Sequence, residues 1–386
     1  MSTYGHRVLF LSGPVEPPWT RSDKVLVRAI AAHLRRYRAR VMTHEGAPPP
    51  DPGVETEPTW GPRLASDTPL GRRIGLFSRL IETSDCALVH LFWPADRLVA
   101  TVVRTACKLR NIPLIHTLVR APRVSLGIGG ALAGNPVVCL SEHTQQRLQD
   151  SGVKSIVCVR PGITIGEPVP AGDKAAIRRK YRIPLHMPVV VYAGDYGHTN
   201  AARTVAAAMP RVVRQVPCHF VWACRIKSGE DAREEQLIQE AVAADGVGDF
   251  ATFLNEVMNL RELLSIATVQ VFPADRHHEK METPLVLLEG MAEGIATVVA
   301  SKPPLVEMVH ANAAIGIPAS NPLSLSAPVV DLLTHPAKAK QWGDNARAFV
   351  KQYHDIEQVA AAYETLYDDM LARRRVRQSG IFGRIG

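Results

Sequence analysis

One carboxylate sits near the middle of an apolar helical stretch, and its chemistry sets the first question. From Thr283 the chain reads Thr283-Pro284-Leu285-Val286-Leu287-Leu288-Glu289-Gly290-Met291-Ala292-Glu293-Gly294, then Ile295 to Ser301, with Glu307 beyond. Thr283 is a good N-cap, Pro284 suits the first helical position, and Gly294 can close the helix in the left-handed conformation. The β-branched run Thr297 to Val299 then begins a buried strand. Burying Glu289 is costly unless hydroxyls or backbone amides satisfy it, and a sugar or ribose ring supplies such hydroxyls. The alternative is an ordinary exposed helix face, where lone acids are common.

The elements that must position this residue alternate along the whole chain. Short aliphatic runs bounded by turn residues predict strands at 7–11, 40–43, 87–91, 113–117, 137–140 and 156–159. A second set is predicted at 189–193, 219–223, 251–254, 269–272, 297–300 and 314–317. Helical stretches lie between them, the pattern of parallel sheets covered by helices. At 386 residues the chain suits two domains rather than one. The stretch 160–170 breaks both periodicities and reads as a hinge, and 46–71, rich in Pro, Gly and acids, reads as a surface loop.

The segment around Glu289 resembles the nucleotide-sugar signature of retaining GT-B glycosyltransferases of family 4, the glycosyl transferases group 1. Further matches follow in order. They are Val137 to Thr144, Arg160-Pro161-Gly162-Ile163, Val189 to Gly194, Val269 to Pro273, Ser301 to Pro304 and Gln341 to Arg347. The resemblance implies an α/β fold of GT-B architecture, two doubly wound Rossmann-like parallel-sheet domains facing a cleft. It implies an acceptor-side domain at 1–165 and a nucleotide-sugar domain at 166–352. A helix at 353–372 would cross back to the first domain, and 373–386 would be a disordered basic tail.

The resemblance also assigns roles. Glu289 would hold the ribose hydroxyls of a nucleoside diphosphate sugar, with Thr283, Pro284, Leu285 and Gly194 lining the same site. The family's first acid falls at Met281, so Glu282, one residue late, is taken for the donor-sugar acid and Glu279 is the other choice. The family places an Arg after the glycine of the donor domain's first strand and a Lys shortly beyond. Asp195 and Asn200 stand there instead. Lys280, Arg203, and Arg225 or Lys227 are the substitutes for that phosphate-binding charge. His90, closing the strand Asp85 to His90, would face the cleft and orient the reacting sugar, or else be a satisfied core histidine. His116 is a stand-in for the histidine the family carries where Val119 lies. Pro14 to Lys24 would shape the acceptor cleft, with Ser22 or Asp23 capping the next helix.

The implied activity is retaining, metal-independent hexosyl transfer, with no cofactor beyond the donor and no Asp-x-Asp pair in the chain. The acceptor would be a sugar, a lipid-linked molecule or another small molecule, as in polysaccharide biosynthesis. Alternatives are an accessory binding subunit in glycan assembly, motivated by Asp195 and Asn200, and a sugar-nucleotide epimerase.

A formal charge of +8 calls for an anionic partner. The excess gathers at Arg35-Arg36-Tyr37-Arg38-Ala39-Arg40 and Arg373-Arg374-Arg375-Val376-Arg377, which read as solvated faces or as contacts to an anionic inner-membrane surface. No groove-reading module is present, so nucleic acid is not expected. The six cysteines show no two-residue spacing that suggests zinc or redox work, and no early apolar segment reads as a signal peptide. A cytoplasmic protein is expected, peripheral to the membrane if the basic clusters meet it.

Overall fold

The computed structural model describes residues 6–61, 70–125, 127–167, 169–197, 199–257, 259–275 and 280–382. Glu279 and Pro168 lie outside the described residues. Two compact units divide the chain, Met1–Thr164 with His278–Glu282 and Asp355–Gly386, and Ile165–His277 with Thr283–His354.

The first unit contains β1 (Arg7–Leu11), α1 (Ser22–His33), β2 (Arg38–His44), β3 (Glu55–Trp60) and α2 (Leu70–Thr83). It continues through β4 (Leu88–Trp93), α3 (Arg97–Leu109), β5 (Leu114–Leu118), β6 (Val137–Cys139), α4 (Glu142–Asp150) and β7 (Ile156–Cys158). Its seven strands lie in the order β3-β2-β1-β4-β5-β6-β7, with every pairing parallel. β1, β4 and β5 are apolar and buried almost throughout, as parallel strands covered on both faces must be. Ser141 caps α4 as expected, its hydroxyl accepting the Thr144 N–H at 3.1 Å. α1 starts on Ser22 itself, and Asp23 is held by both prongs of the Arg21 guanidinium rather than capping.

β3 corrects the expectation that 46–71 is a loop. Its sequence Glu-Thr-Glu-Pro-Thr-Trp lacks apolar alternation and contains a proline, which only an edge position tolerates. That edge place is where it sits, paired on β2 alone with a register break at Thr43/His44.

The second unit contains α5 (Ala171–Lys180), β8 (Val189–Gly194), α6 (Ala201–Val213), β9 (His219–Cys224), α7 (Gly229–Ala244) and β10 (Ala251–Leu254). There follow α8 (Leu260–Ser265), β11 (Val269–Phe272), α9 (Leu285–Ala292), β12 (Ala296–Ala300), α10 (Val306–His310), β13 (Ile315–Ile317), α11 (Pro322–Thr334) and α12 (Pro336–Tyr353). The six-stranded order β10-β9-β8-β11-β12-β13 repeats the logic of the first sheet. Alternate residues of β8 feed two cores. Val190 and Tyr192 join Phe220 and Trp222 on one face, while Val189 and Val191 join Val221, Leu263 and Leu264 on the other.

Two glycines hold α9 in place. A Cβ on Gly290 would meet Gln270 Oε1 at 2.1 Å, and buried Gln270 donates to Leu287 O and Thr297 Oγ1 at 3.0 and 2.8 Å. A Cβ on Gly343 of α12 would fall 1.9 Å from the Gly294 carbonyl oxygen. Gly294 itself has φ +76, the left-handed helix end read from the sequence.

α13 (Ile356–Phe382) belongs to the first unit. A break at His354 and Asp355 separates it from α12, so the crossing helix begins later than position 353. Buried Glu364 accepts the Arg35 and Arg36 backbone N–H groups at 2.7 and 2.6 Å and Arg36 Nε at 3.1 Å. Tyr37 donates its hydroxyl to Asp368, and Arg35 pairs with Glu357. Arg40 meets Glu55 and Asp85, each at 3.1 Å. Most of the Arg35–Arg40 cluster is therefore bound inside the unit rather than left as a basic face. α13 also runs straight through Arg373–Arg375 to Phe382, where the sequence reading placed a disordered tail. Arginine is a strong helix former, and Arg374 reaches the Ala87 carbonyl oxygen at 3.4 Å. Among the described residues no helix is long and apolar enough to cross a membrane.

Candidate functional site

In a doubly wound sheet the loops at the carboxyl ends of the two strands where the order reverses form the natural ligand crevice. These are the loops after β1 and β4 in the first unit and after β8 and β11 in the second.

In the first unit a cavity of about 350 Å3 occupies that place. The loop after β1 supplies Glu16 and Arg21, the start of α1 supplies Asp23 and Lys24, and the ends of β2, β3 and β4 supply His44, Trp60 and Trp93. Arg73 of α2 and Arg120 beyond β5 complete the charged lining. Both carboxylates are already satisfied. Glu16 takes the His44 ring and, at 2.9 Å, the His44 N–H, while Asp23 takes Arg21 and, at 2.9 Å, the Lys24 N–H. Those donors hold the Asp23 carboxyl below its usual range although burial opposes it. Lys24 Nζ donates to the Glu16 carbonyl oxygen at 2.8 Å, and burial pulls its pKa down. The Trp60 indole N–H is buried without a hydrogen-bond partner among the described residues. Sequence reading foresaw the 14–24 loop here but not Trp60, Arg73 or Arg120. Arg120 could have been found from its place just past the end of a strand.

In the second unit, Gly194 ends β8 and is followed by Asp195, whose carboxylate pairs with Lys227, in the loop after β9. Tyr192 donates its hydroxyl to the Asp195 carbonyl oxygen at 2.9 Å, and a Cβ on Gly194 would meet that hydroxyl at 2.5 Å. Asp275, after β11, accepts the Asn200 backbone N–H at 3.1 Å just before α6. Arg225 lies half-buried after β9. Arg203 points to Glu234 of α7 through both Nε and Nη2 and is 62% exposed, so it is held in a surface pair.

Glu289 lies on α9, half-buried, with Leu285, Leu287, Leu288 and Met291 buried along the same helix. It retains some accessible surface, yet packing around the carboxyl desolvates it enough to raise its pKa to about 7. Arg261 of α8 pulls the other way, but its guanidinium is paired with Glu293. The helix starts one residue later than read. Pro284 occupies the N-cap position, Leu285 is the first helical residue, and Thr283 is buried one residue before the cap.

Four expected site residues fall in the first unit. His90 is 0% exposed; Nδ1 bonds the Tyr367 hydroxyl and Nε2 the Thr117 hydroxyl, both at 2.7 Å, and the ring stacks on Phe92. Burial pulls its pKa well below the ordinary value. It is the satisfied core histidine, not a cleft-facing one. His116 is likewise used up, its Nδ1 accepting the Ala133 N–H at 3.1 Å and its Nε2 donating to Trp93 O at 3.0 Å, with burial lowering its pKa to about 4. Glu282 is 2% exposed, and its Oε1 accepts the Thr144 hydroxyl of α4. Lys280 is placed there too, its carbonyl oxygen accepting the Ala121 N–H at 3.3 Å. Glu289 sits in the other unit, so the sequence-adjacent acids divide between the two.

Residues 173–349 match the family model of glycosyl transferases group 1. That stretch, somewhat under half of the chain, is similar to group 1 glycosyl transferases, and the two doubly wound sheets are those of GT-B architecture. A sucrose-phosphate synthase structure from Thermosynechococcus elongatus is similar at 18% identity and a TM-score of 0.76, over 95% of this chain and 100% of that one. Anabaena HepE in complex with UDP and glucose is similar at 15% identity and a TM-score of 0.73, over 94% and 100%. At these identities the likeness is one of fold. N-acetyl-alpha-D-glucosaminyl L-malate synthase of Bacillus anthracis is 23% identical over 202 residues, 52% of this chain. The chain spans about half the length of that curated relative.

Proposed function

We propose that this protein is a retaining glycosyltransferase that moves a sugar from a nucleoside diphosphate donor to a small acceptor. The observation that carries the reading is Glu289, a desolvated carboxylate with a pKa raised to about 7 inside the stretch that matches the group 1 model. Ribose hydroxyls would donate to it and offset its burial. HepE, whose structure holds UDP and glucose, supports a donor of this class. The acceptor hydroxyl oxygen bonds to the anomeric carbon on the face from which the diphosphate departs. The diphosphate leaves with the electron pair, and the hydroxyl proton passes to one of its oxygens. Lys227 and Arg225 are the cations of the second unit assigned to the diphosphate, which would have to take Lys227 from Asp195, with the Gly194 backbone beside it. Arg203 and His90 take no part in this reading because each is committed elsewhere, and Glu282 is left out as a buried residue grouped with the first unit. Lys280 lies outside it because it belongs with the first unit.

Asp195 favours a second reading, donor binding without turnover in an accessory subunit, since its carboxylate occupies Lys227. Thermal-shift measurement with uridine, guanosine, adenosine and thymidine diphosphates tests both, because a ligand at a hundredfold its Kd adds about 2.7 kcal/mol. No shift with any of them removes the donor site. A shift without sugar release from the matching nucleotide sugar selects the accessory reading. An anionic membrane surface would have to be met by Arg373–Arg375, given the pairing of the Arg35–Arg40 cluster. Loss of low-salt vesicle co-sedimentation in an Arg373→Gln, Arg374→Gln, Arg375→Gln variant is the expected outcome of such contact.

A further inference from the structure

We infer that the cavity of the first unit binds an acceptor carrying a carboxylate or phosphate group. The name acceptor rests on the transferase reading above; the preference for an anion rests on the cavity itself. Four cationic side chains line it, Arg21, Lys24, Arg73 and Arg120, against two carboxylates, Glu16 and Asp23. Both carboxylates already accept from donors within the unit, Glu16 from two and Asp23 from three, which reduces what they offer a ligand. Arg21 is spent on Asp23, and donor capacity remains on Lys24 and Arg120. Lys24 Nζ uses a single hydrogen bond to a carbonyl oxygen, and a lysine ammonium carries three donors. Arg120 makes no hydrogen bond to another described residue and acts on Asp23 through its charge alone, and the buried Trp60 N–H has no partner among the described residues.

A neutral polyol presents donors and acceptors in near-equal number and would leave its own hydroxyl protons unmatched against such a lining. An anionic group presents only acceptors and matches it. The volume, about 350 Å3, lies at the small end of ligand pockets, which suits a molecule of monosaccharide size or less. Trp60, Phe92 and Trp93 give the ligand an apolar wall, and Phe77 packs edge-on against both Trp60 and Trp93 to hold it.

Titration of the full chain by calorimetry tests this, with succinate, glycerol 3-phosphate and neutral glycerol as probes. One or both anions should bind and glycerol should not; whether succinate or glycerol 3-phosphate binds tighter assigns carboxylate or phosphate. Arg120→Ala and Lys24→Met should each weaken anion binding at least tenfold, and Arg120→Lys should recover part of it. Uridine diphosphate affinity should stay unchanged in all three. Glycerol binding as tightly as the anions, or anion binding that ignores Arg120→Ala and Lys24→Met together, overturns the inference. Equal losses of anion and uridine diphosphate also overturn it, since the cavity would then be a donor-phosphate site. Anion binding that behaves as stated, in a chain that binds no nucleoside diphosphate, keeps the anion site and sinks only the transferase reading.

Discussion

The two units build the same strand order and then treat charge at its reversal point in opposite ways. In the first, cations outnumber carboxylates around a cavity and the carboxylates are internally satisfied. In the second, Asp195 takes Lys227 and Asp275 takes the backbone at the entry to α6. The scaffolds agree while the loops differ, so ligand preference is written in loop residues rather than in the fold. Their anchoring differs as well. α13 locks onto the first unit through a buried carboxylate and two tyrosines, whereas α12 reaches α9 in the second through glycine contact.

The sharpest way to separate the units is to break each anchor alone. Gly343→Ala drives a methyl into the Gly294 carbonyl and should cost about 3 kcal/mol, because overpacked backbone has no flexible side chain to yield. Glu364→Ala strands the Arg35 and Arg36 N–H groups and should cost about 2.5 kcal/mol in the first unit. Calorimetric unfolding, read with tryptic fragments that report which unit opens first, should show different units yielding in the two variants. Opening of the same unit in both would mean that the anchors are not separate.

Glu289→Gln sharpens the comparison in the second unit. A neutral amide accepts ribose hydroxyl bonds less well than a carboxylate, so donor affinity should fall by about 2 kcal/mol, roughly thirtyfold. Stability should move the other way. The folded pKa is raised from 4.5 to about 7, so the folded unit holds its proton longer than the unfolded chain does. Wild-type stability therefore falls as pH rises from the unfolded value to the folded one, and stays down above it. The variant lacks that slope and should melt higher than wild type at pH 8 but not at pH 4. Wild-type donor affinity should rise between pH 6 and 8 as the carboxylate ionises. A variant that binds donor normally and gains no stability at pH 8 places Glu289 on an ordinary solvated face.

Much of this arrangement was legible in the chain because parallel strands are buried on both faces and leave long aliphatic runs. Every strand but β3 was read at or within a few residues of its place. β3 was hidden because an edge strand can carry Glu, Pro and Thr without penalty. Glu289 stood out through local contrast, a charge among leucines. His90 misled for the same reason: a histidine closing a strand looks exposed until Tyr367, far along the chain, is known to pack on it. The Arg35–Arg40 cluster misled likewise, since its acids sit on α13, β3 and the approach to β4. Long-range partners leave no local trace, and so the roles that failed were those of residues whose neighbours come from remote segments.

Asp195 offers the smallest effect and the closest test of the contrast between the units. It stands where the family resemblance places an arginine, and its carboxylate holds the Lys227 ammonium in a pair whose members keep 23% and 42% of their side-chain exposure. Pairs this accessible contribute about 0.2 to 1 kcal/mol, so Asp195→Ala should leave the fold nearly unchanged. What it should change is Lys227, which is then free to meet a phosphate. Nucleoside diphosphate affinity should rise about threefold to fivefold, more at low salt than at high salt, since the gain is between partly exposed charges. Affinity for the nucleoside alone should not move. Weaker diphosphate binding in this variant would mean that Asp195 itself touches the ligand, and the second unit would then recognise its donor through a carboxylate rather than in spite of one.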